Sequence, residues 1–198
     1  MKSAEDKGEL IIVTGLSGAG KTQAMKGLED LGFFCIDNLP PMLLPQLVDL
    51  HLTDDEIGRR FAVAMDVRGQ EYFRHMFEAL DWLKERDCPH QIVFLEASDT
   101  VLVRRFSETR RRHPLEKQGN LYEAIARERE LLAEVKFRAD VVIDTSVLKP
   151  AELKAMLSER LIGLPLTRSL NVEVVSFGYK YGVPMDADIV FDVRFLPN

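Results

Sequence analysis

The sequence predicts an α/β protein built around a largely parallel sheet, and three observations carry that prediction. Short apolar runs alternate with amphipathic stretches from Leu10 to Gly163. The runs are near-continuous in Val, Ile, Leu and Phe rather than alternating, as strands buried on both faces are. A glycine-rich turn joins the first run to the first amphipathic stretch, where a strand would feed a helix.

Taken in order, the expected strands are Leu10 to Thr14, Phe33 to Asp37, Arg60 to Asp66, Gln91 to Glu96 and Asp140 to Asp144. Each is short and bounded by Gly, Asp or polar residues. Between them, "TQAMKGLEDLG" reads as a helix. In "QEYFRHMFEALDWLKERD", Phe73, Met76, Phe77, Leu80 and Leu83 recur at three- and four-residue steps and share one helical face. Asn120 followed by Glu123 predicts an N-terminal cap before Ile125, Leu131, Leu132 and Val135. Pro150 suits the first turn of a helix carrying Leu153, Met156, Leu157 and Leu161, and Gly163 suits its stop. After "GLPLTRSLN" the pattern changes. From Asn171 two β-like runs and no long helix are expected, too little chain for an independent core. The expected division is therefore residues 1–166 as one domain and 167–198 as the start of a second, truncated one.

The turn after the first strand, Gly15-Leu16-Ser17-Gly18-Ala19-Gly20-Lys21-Thr22, fits G-x-x-x-x-G-K-[ST] at every fixed position. Glycines let backbone N–H groups close around phosphate oxygens at a helix N-terminus, where the dipole also favours an anion. Lys21 is placed to reach β- and γ-phosphates, and the Thr22 hydroxyl to hold Mg²⁺. Two imitations fail on single residues. A G-x-S-x-G nucleophile elbow would need Gly where Ala19 stands, and a dinucleotide fingerprint would need Gly where Gln23 stands.

A phosphate loop needs an acid at a strand end to anchor its magnesium. Asp66 closes "FAVAMD" and Glu96 closes "IVFLE", and Asp66 is the better candidate because its side chain is short. Arg68, in "DVRG", and Asp37, in "DNLPP", stand at strand carboxyl ends, where open α/β sheets bind ligands. Asp37 reads equally as a turn or as a substrate contact. "VLVRRFSETRRRHP" gathers Arg104, Arg105, Arg110, Arg111 and Arg112. Guanidinium forks match phosphate oxygens, so this cluster reads as a lid over the nucleotide, an RNA-phosphate site or a solvated helix face.

Composition limits the classes. The chain has 198 residues, 46% hydrophobic and 29% charged, the balance of a soluble globular protein. "MKSAEDKGEL" is polar and acidic and the following apolar run is short, so neither signal peptide nor membrane span is expected. Two cysteines without Cys-x-x-Cys pairing argue against zinc and disulfides and fit a cytoplasmic location. A net charge of −6 argues against indiscriminate nucleic-acid binding.

"GLSGAGKT", "GLEDLGFFCIDNLPP", "DVRG", "RRFSETRRRHPL", "RADVVIDTS" and "SFGYKYGVPMDADIVFDVRFLPN" together resemble the RapZ/YvcJ family of nucleotide-binding proteins, also described as RNase adapter proteins. The resemblance runs from the loop to the last residue. It implies a kinase-like P-loop domain with strand order 2-3-1-4-5 and a second domain beginning near Leu170. It also implies hydrolysis of ATP and GTP, with Gly15 to Thr22 matching the ATP positions and Asp66, Val67, Arg68 and Gly69 the GTP positions. On that basis Lys21 and Asp66 are the expected catalytic residues, Thr22 and Asp66 the metal partners, and ATP, GTP and Mg²⁺ the cofactors. Some family members present small regulatory RNAs to an RNase, a role attached mainly to the C-terminal domain. A protein or small-RNA partner through that domain follows as an expectation, and a homo-oligomer stays open. Gly69 departs from the Asn of RNA-adapter members, and the family pattern continues beyond "FLPN". Two other readings stand beside the regulatory NTPase: a small-molecule kinase with an arginine lid, and an RNA adapter with a vestigial nucleotide site.

Overall fold

Leu10, Ile11, Ile12 and Val13 are all but fully buried, and the strand they form is the middle of the sheet. The structure, a computed structural model, describes residues 9–53, 60–65, 70–116, 120–163, 174–184 and 187–193. Strand β1 (Glu9–Gly15) pairs in parallel with β3 (Arg60–Ala64) on one side and β4 (His90–Glu96) on the other. Strand β2 (Phe34–Ile36) pairs with β3, and β5 (Val141–Asp144) with β4, again in parallel. The order is therefore β2-β3-β1-β4-β5, as the family resemblance implies. Burying each large apolar side chain of β1 contributes about 1.5–3 kcal/mol, which makes this strand the anchor of everything attached to its ends.

Helices α1 (Lys21–Glu29), α2 (Leu44–Thr53), α3 (Gln70–Glu85), α4 (Asp99–Thr109), α5 (Leu121–Arg138) and α6 (Pro150–Leu157) complete the unit. A 3₁₀ turn (Pro41–Leu43) precedes α2, and a π-helical turn (Ser158–Ile162) extends α6 to Gly163, which has φ 67°. On α3 the buried positions include Phe73, Met76, Leu80 and Leu83, the face that the periodicity marks. Phe77 is only half-buried, with the Arg138 guanidinium 4.7 Å over its ring. Asn120 caps α5 by accepting the Glu123 N–H at 3.2 Å. No helix among the described residues is long and apolar enough to cross a membrane.

The chain leaves β1 toward β2 and leaves the neighbouring β3 toward β4, in opposite directions across the sheet. That opens a crevice beyond the carboxyl ends of the strands, where ligands of open α/β sheets bind. Gly15, Asp37, Glu96 and Thr145 all stand at or just past such ends.

The chain divides into two compact units, Met1–Leu166 and Thr167–Asn198. The two β-like runs expected after Asn171 are not strands among the described residues, which form one 3₁₀ turn (Tyr179–Tyr181) and otherwise irregular backbone. The correction has a physical reason. A β-run becomes a strand only when a neighbour takes its N–H and C=O groups, and three or more strands or a covering helix are needed for such a patch to hold. Here Val174 and Phe191 stay largely exposed.

Strand β2 carries Cys35, whose thiol donates to the Met25 carbonyl at 3.5 Å. Burial first, then the carboxylates of Glu29 and Asp37, push its pKa up to about 11 from 9.0. A raised pKa favours the neutral thiol. At pH 8 the thiolate population, and with it the alkylation rate, should be about a hundredfold below that of an unperturbed cysteine. Mass-resolved iodoacetamide labelling checks this, and rapid modification of Cys35 at pH 8 would contradict it.

A candidate phosphate-binding cleft

The loop leaving β1 is shaped by close approach to β4. Gly15 has φ 132°, and a Cβ there would sit 2.0 Å from the Leu95 carbonyl oxygen. Leu16 N–H donates to that same oxygen at 3.0 Å, and Ala19 N–H closes a turn on Leu16 O at 3.0 Å. Gly20, at φ 100°, stands at the N-cap of α1, and its carbonyl accepts the N–H groups of Gln23 and Ala24. The first N–H groups of a helix have no intrahelical acceptor and face outward with the positive end of the dipole. An anion fits there. Lys21 curls back over the loop, its Nζ donating to Gly15 O at 2.8 Å and Leu16 O at 3.3 Å.

The loop opens into a cleft of about 1170 Å³. That is large enough for a nucleoside triphosphate, since small-molecule sites run to roughly 300–1,000 Å³. Ser17 to Gln23 line it. Asp37, Asn38, Ala64, Thr145, Lys149 and Pro150 also line it. Arg105, Arg111 and Arg112 reach it, whereas Arg104 and Arg110 are not among its lining. Arg104 lies along the exposed face of α4, 3.9 Å from Glu108. Arg110 ends α4 with φ 51°.

Arg105 is a staple between the loop and β5. Its guanidinium donates to Gly18 O at 3.0 Å, Thr145 Oγ1 at 3.0 Å and Thr145 O at 2.7 Å. Thr145 Oγ1 in turn donates to Ala19 O at 2.8 Å. Burial, and secondarily the neighbouring Arg104, lowers the Arg105 pKa from its usual value. The Ser146 hydroxyl and amide hold the Asp144 carboxyl below the usual carboxylate range.

The donor set suits a magnesium-bound polyphosphate. The exposed Thr22 supplies a hard oxygen ligand in the cleft, and Lys21 a cation beside it. Of the two strand-end acids, Glu96 is engaged, with Lys136 Nζ at 2.7 Å and Arg129 at 3.4 Å. Asp66, Val67, Arg68 and Gly69 lie outside the described residues.

Two buried residues beside the loop escape motif analysis. Glu128 and His113 are 1% and 2% exposed. Glu128 Oε1 accepts the Ser17 hydroxyl at 2.7 Å, and Oε2 accepts the Ser17 N–H at 2.9 Å. His113 Nε2 lies 3.1 Å from Glu128 Oε2. The sequence does hold a signal for Glu128. It interrupts an otherwise apolar inward stripe on α5, made of Ala124, Ile125, Leu132 and Val135.

Several solved structures share this architecture. The tunicamycin resistance protein of Deinococcus radiodurans superposes with a TM-score of 0.55 at 20% identity, over 80% of this chain and 97% of that one. A shikimate kinase from Acinetobacter baumannii, solved with shikimate, gives 0.53 at 18% identity, over 82% and 97%. At such identities the likeness is one of fold. In sequence, the chain is 56% identical over 192 residues to a nucleotide-binding protein of Moorella thermoacetica, covering 96% of this chain and 64% of that protein. It is 50% identical over 188 residues to a nucleotide-binding protein of Thermoanaerobacter sp. (strain X514), covering 95% of this chain and 66% of the relative's length. The RapZ C-terminal domain matches residues 170–198. Since the RapZ-like N-terminal domain matches residues 8–164, the chain belongs to the RapZ-like family.

Proposed function

We propose that this chain binds ATP and GTP at the Gly15–Thr22 loop and hydrolyses them slowly, the bound nucleotide setting the state of a regulator or adapter. The observation that carries the proposal is the convergence of the loop, Lys21 and Thr22 with Arg111 and Arg112 on one cleft. The names of the relatives support the binding step. Lys21 leaves the carbonyls of Gly15 and Leu16 for the β- and γ-phosphates, and the loop amides take the remaining oxygens. Thr22 and Asp66 would hold Mg²⁺, which would supply positive charge to offset that developing on the phosphoryl group. Arg111 and Arg112, which line the same cleft, add positive charge to it. Positioning supplies most of the catalysis in phosphoryl transfer, so turnover is slow until a partner or further domain orders the attacking water.

A second reading has one observation in its favour. Asp37 and Asn38 line the same cleft as the loop, and a kinase would need such polar groups there to hold an acceptor hydroxyl. A protein or small-RNA partner, reached through the C-terminal domain, is proposed for the whole protein. Product analysis with γ-labelled ATP and GTP separates the readings. The NTPase reading expects label released as inorganic phosphate at a rate indifferent to added sugars, polyols and other hydroxyl compounds. Label appearing in an organic phosphate, or release stimulated by such an acceptor, would favour the kinase.

A further inference from the structure

Three segments remote in sequence meet at one buried carboxylate. Glu128 accepts three hydrogen bonds, two from Ser17 of the loop and one from His113, which directly follows Arg111 and Arg112. The histidine tautomer is set by its other nitrogen. Nδ1 accepts the Leu115 N–H at 3.1 Å, so Nε2 carries the proton given to Glu128. The His113 backbone N–H is held by Glu116 Oε2 at 3.1 Å. Phe106 closes the circuit. Its ring lies 5.1 Å from the imidazole and is the nearest group to a Cβ at Gly18, at 3.2 Å.

Folding alone does not call for this arrangement. An apolar residue at 128 would continue the α5 stripe, whereas a buried carboxylate is costly unless its oxygens are fully partnered. The partners it has are a residue of the phosphate loop and the end of the segment that carries two cleft arginines. With its N–H turned onto Glu128, Ser17 is withdrawn from phosphate contact, and the outer arc of the loop is fixed instead to the arginine segment.

We propose that His113 and Glu128 are positioning residues that hold Arg111 and Arg112 in register with the phosphate loop, so that the guanidinium groups meet a bound γ-phosphate without a search. The inference rests on the NTPase reading for its kinetic consequence but not for the brace itself. His113→Phe keeps the ring packing against Phe106 and removes the donor. It should lower kcat by about tenfold or more with KM within about threefold, because the interaction it disturbs is realised in the transition state. His113→Gln, which restores an N–H at the same reach, should recover most of the loss.

The decisive experiment is a double-mutant cycle between His113→Phe and the pair Arg111→Ala/Arg112→Ala, with Glu128→Gln as a second entry to the same cycle should the phenylalanine variant fold poorly. If the brace acts through the arginines, its loss costs nothing further once they are gone. Costs that multiply independently would overturn the proposal, as would a folded His113→Phe protein with unchanged kcat. Amide hydrogen exchange reads the brace without turnover. The variant should deprotect Ser17 as well as Leu115, and unchanged protection at Ser17 would overturn the proposal even if the wild type released no phosphate. That last result by itself would sink only the NTPase reading.

Discussion

Gly15→Ala should cost the fold about 4 kcal/mol or more, a loss that leaves little folded protein in a domain of ordinary stability. The added Cβ would meet the Leu95 carbonyl oxygen at 2.0 Å and the Leu95 nitrogen at 2.6 Å. Both are backbone atoms of a central strand, paired to β1 through the Gly15–Leu95 register. A flexible side chain could swing away, but a strand in the middle of a sheet cannot move without breaking its ladders. The φ of 132° adds strain for any L side chain. Chemical denaturation checks the prediction. A midpoint close to that of the parent would mean that β1 and β4 do not approach as described.

Lys21→Ala should do the reverse, leaving the fold and removing the activity. The lysine's hydrogen bonds to Gly15 O and Leu16 O are worth about 0.5–1.5 kcal/mol each at most and are made by a side chain only partly buried. The melting temperature should therefore change little. Turnover should fall by about 10²-fold or more, since a preorganised cation facing developing phosphate charge is lost. The two substitutions separate the loop's architecture from its chemistry. Gly15 lets β1 and β4 approach without a clash, and Lys21, six positions along, is the residue proposed to meet the ligand.

How much of this was legible follows from how local each signal is. The eight-residue loop is a contiguous pattern whose glycines, lysine and threonine each have a backbone or ligand reason, so it reads directly. The α3 face and the Asn120 cap are equally local, decided within one or two helical turns. Which arginines reach the cleft is not local. Arg105 and Arg104 are neighbours in sequence, yet α4 turns one toward Gly18 and Thr145 and the other to the exposed helix face. Glu96 looks like a free strand-end acid until α5 brings Lys136 and Arg129 against it. The β-like runs after Asn171 fail for the same reason, because strand character is completed by a partner that a linear pattern does not supply. Glu128 is the instructive case. A charge on an apolar helical stripe marks a buried polar group, but the two residues it serves lie 111 and 15 positions away.

If the loop over β1 is a working nucleoside-triphosphate site, Mg²⁺-dependent phosphate release from ATP and GTP, measured on the parent protein and on Lys21→Ala side by side, decides it. Slow release by the parent is expected, abolished by chelation and by the substitution, with both proteins equally folded. Release that persists undiminished in Lys21→Ala would mean that the loop is not the site.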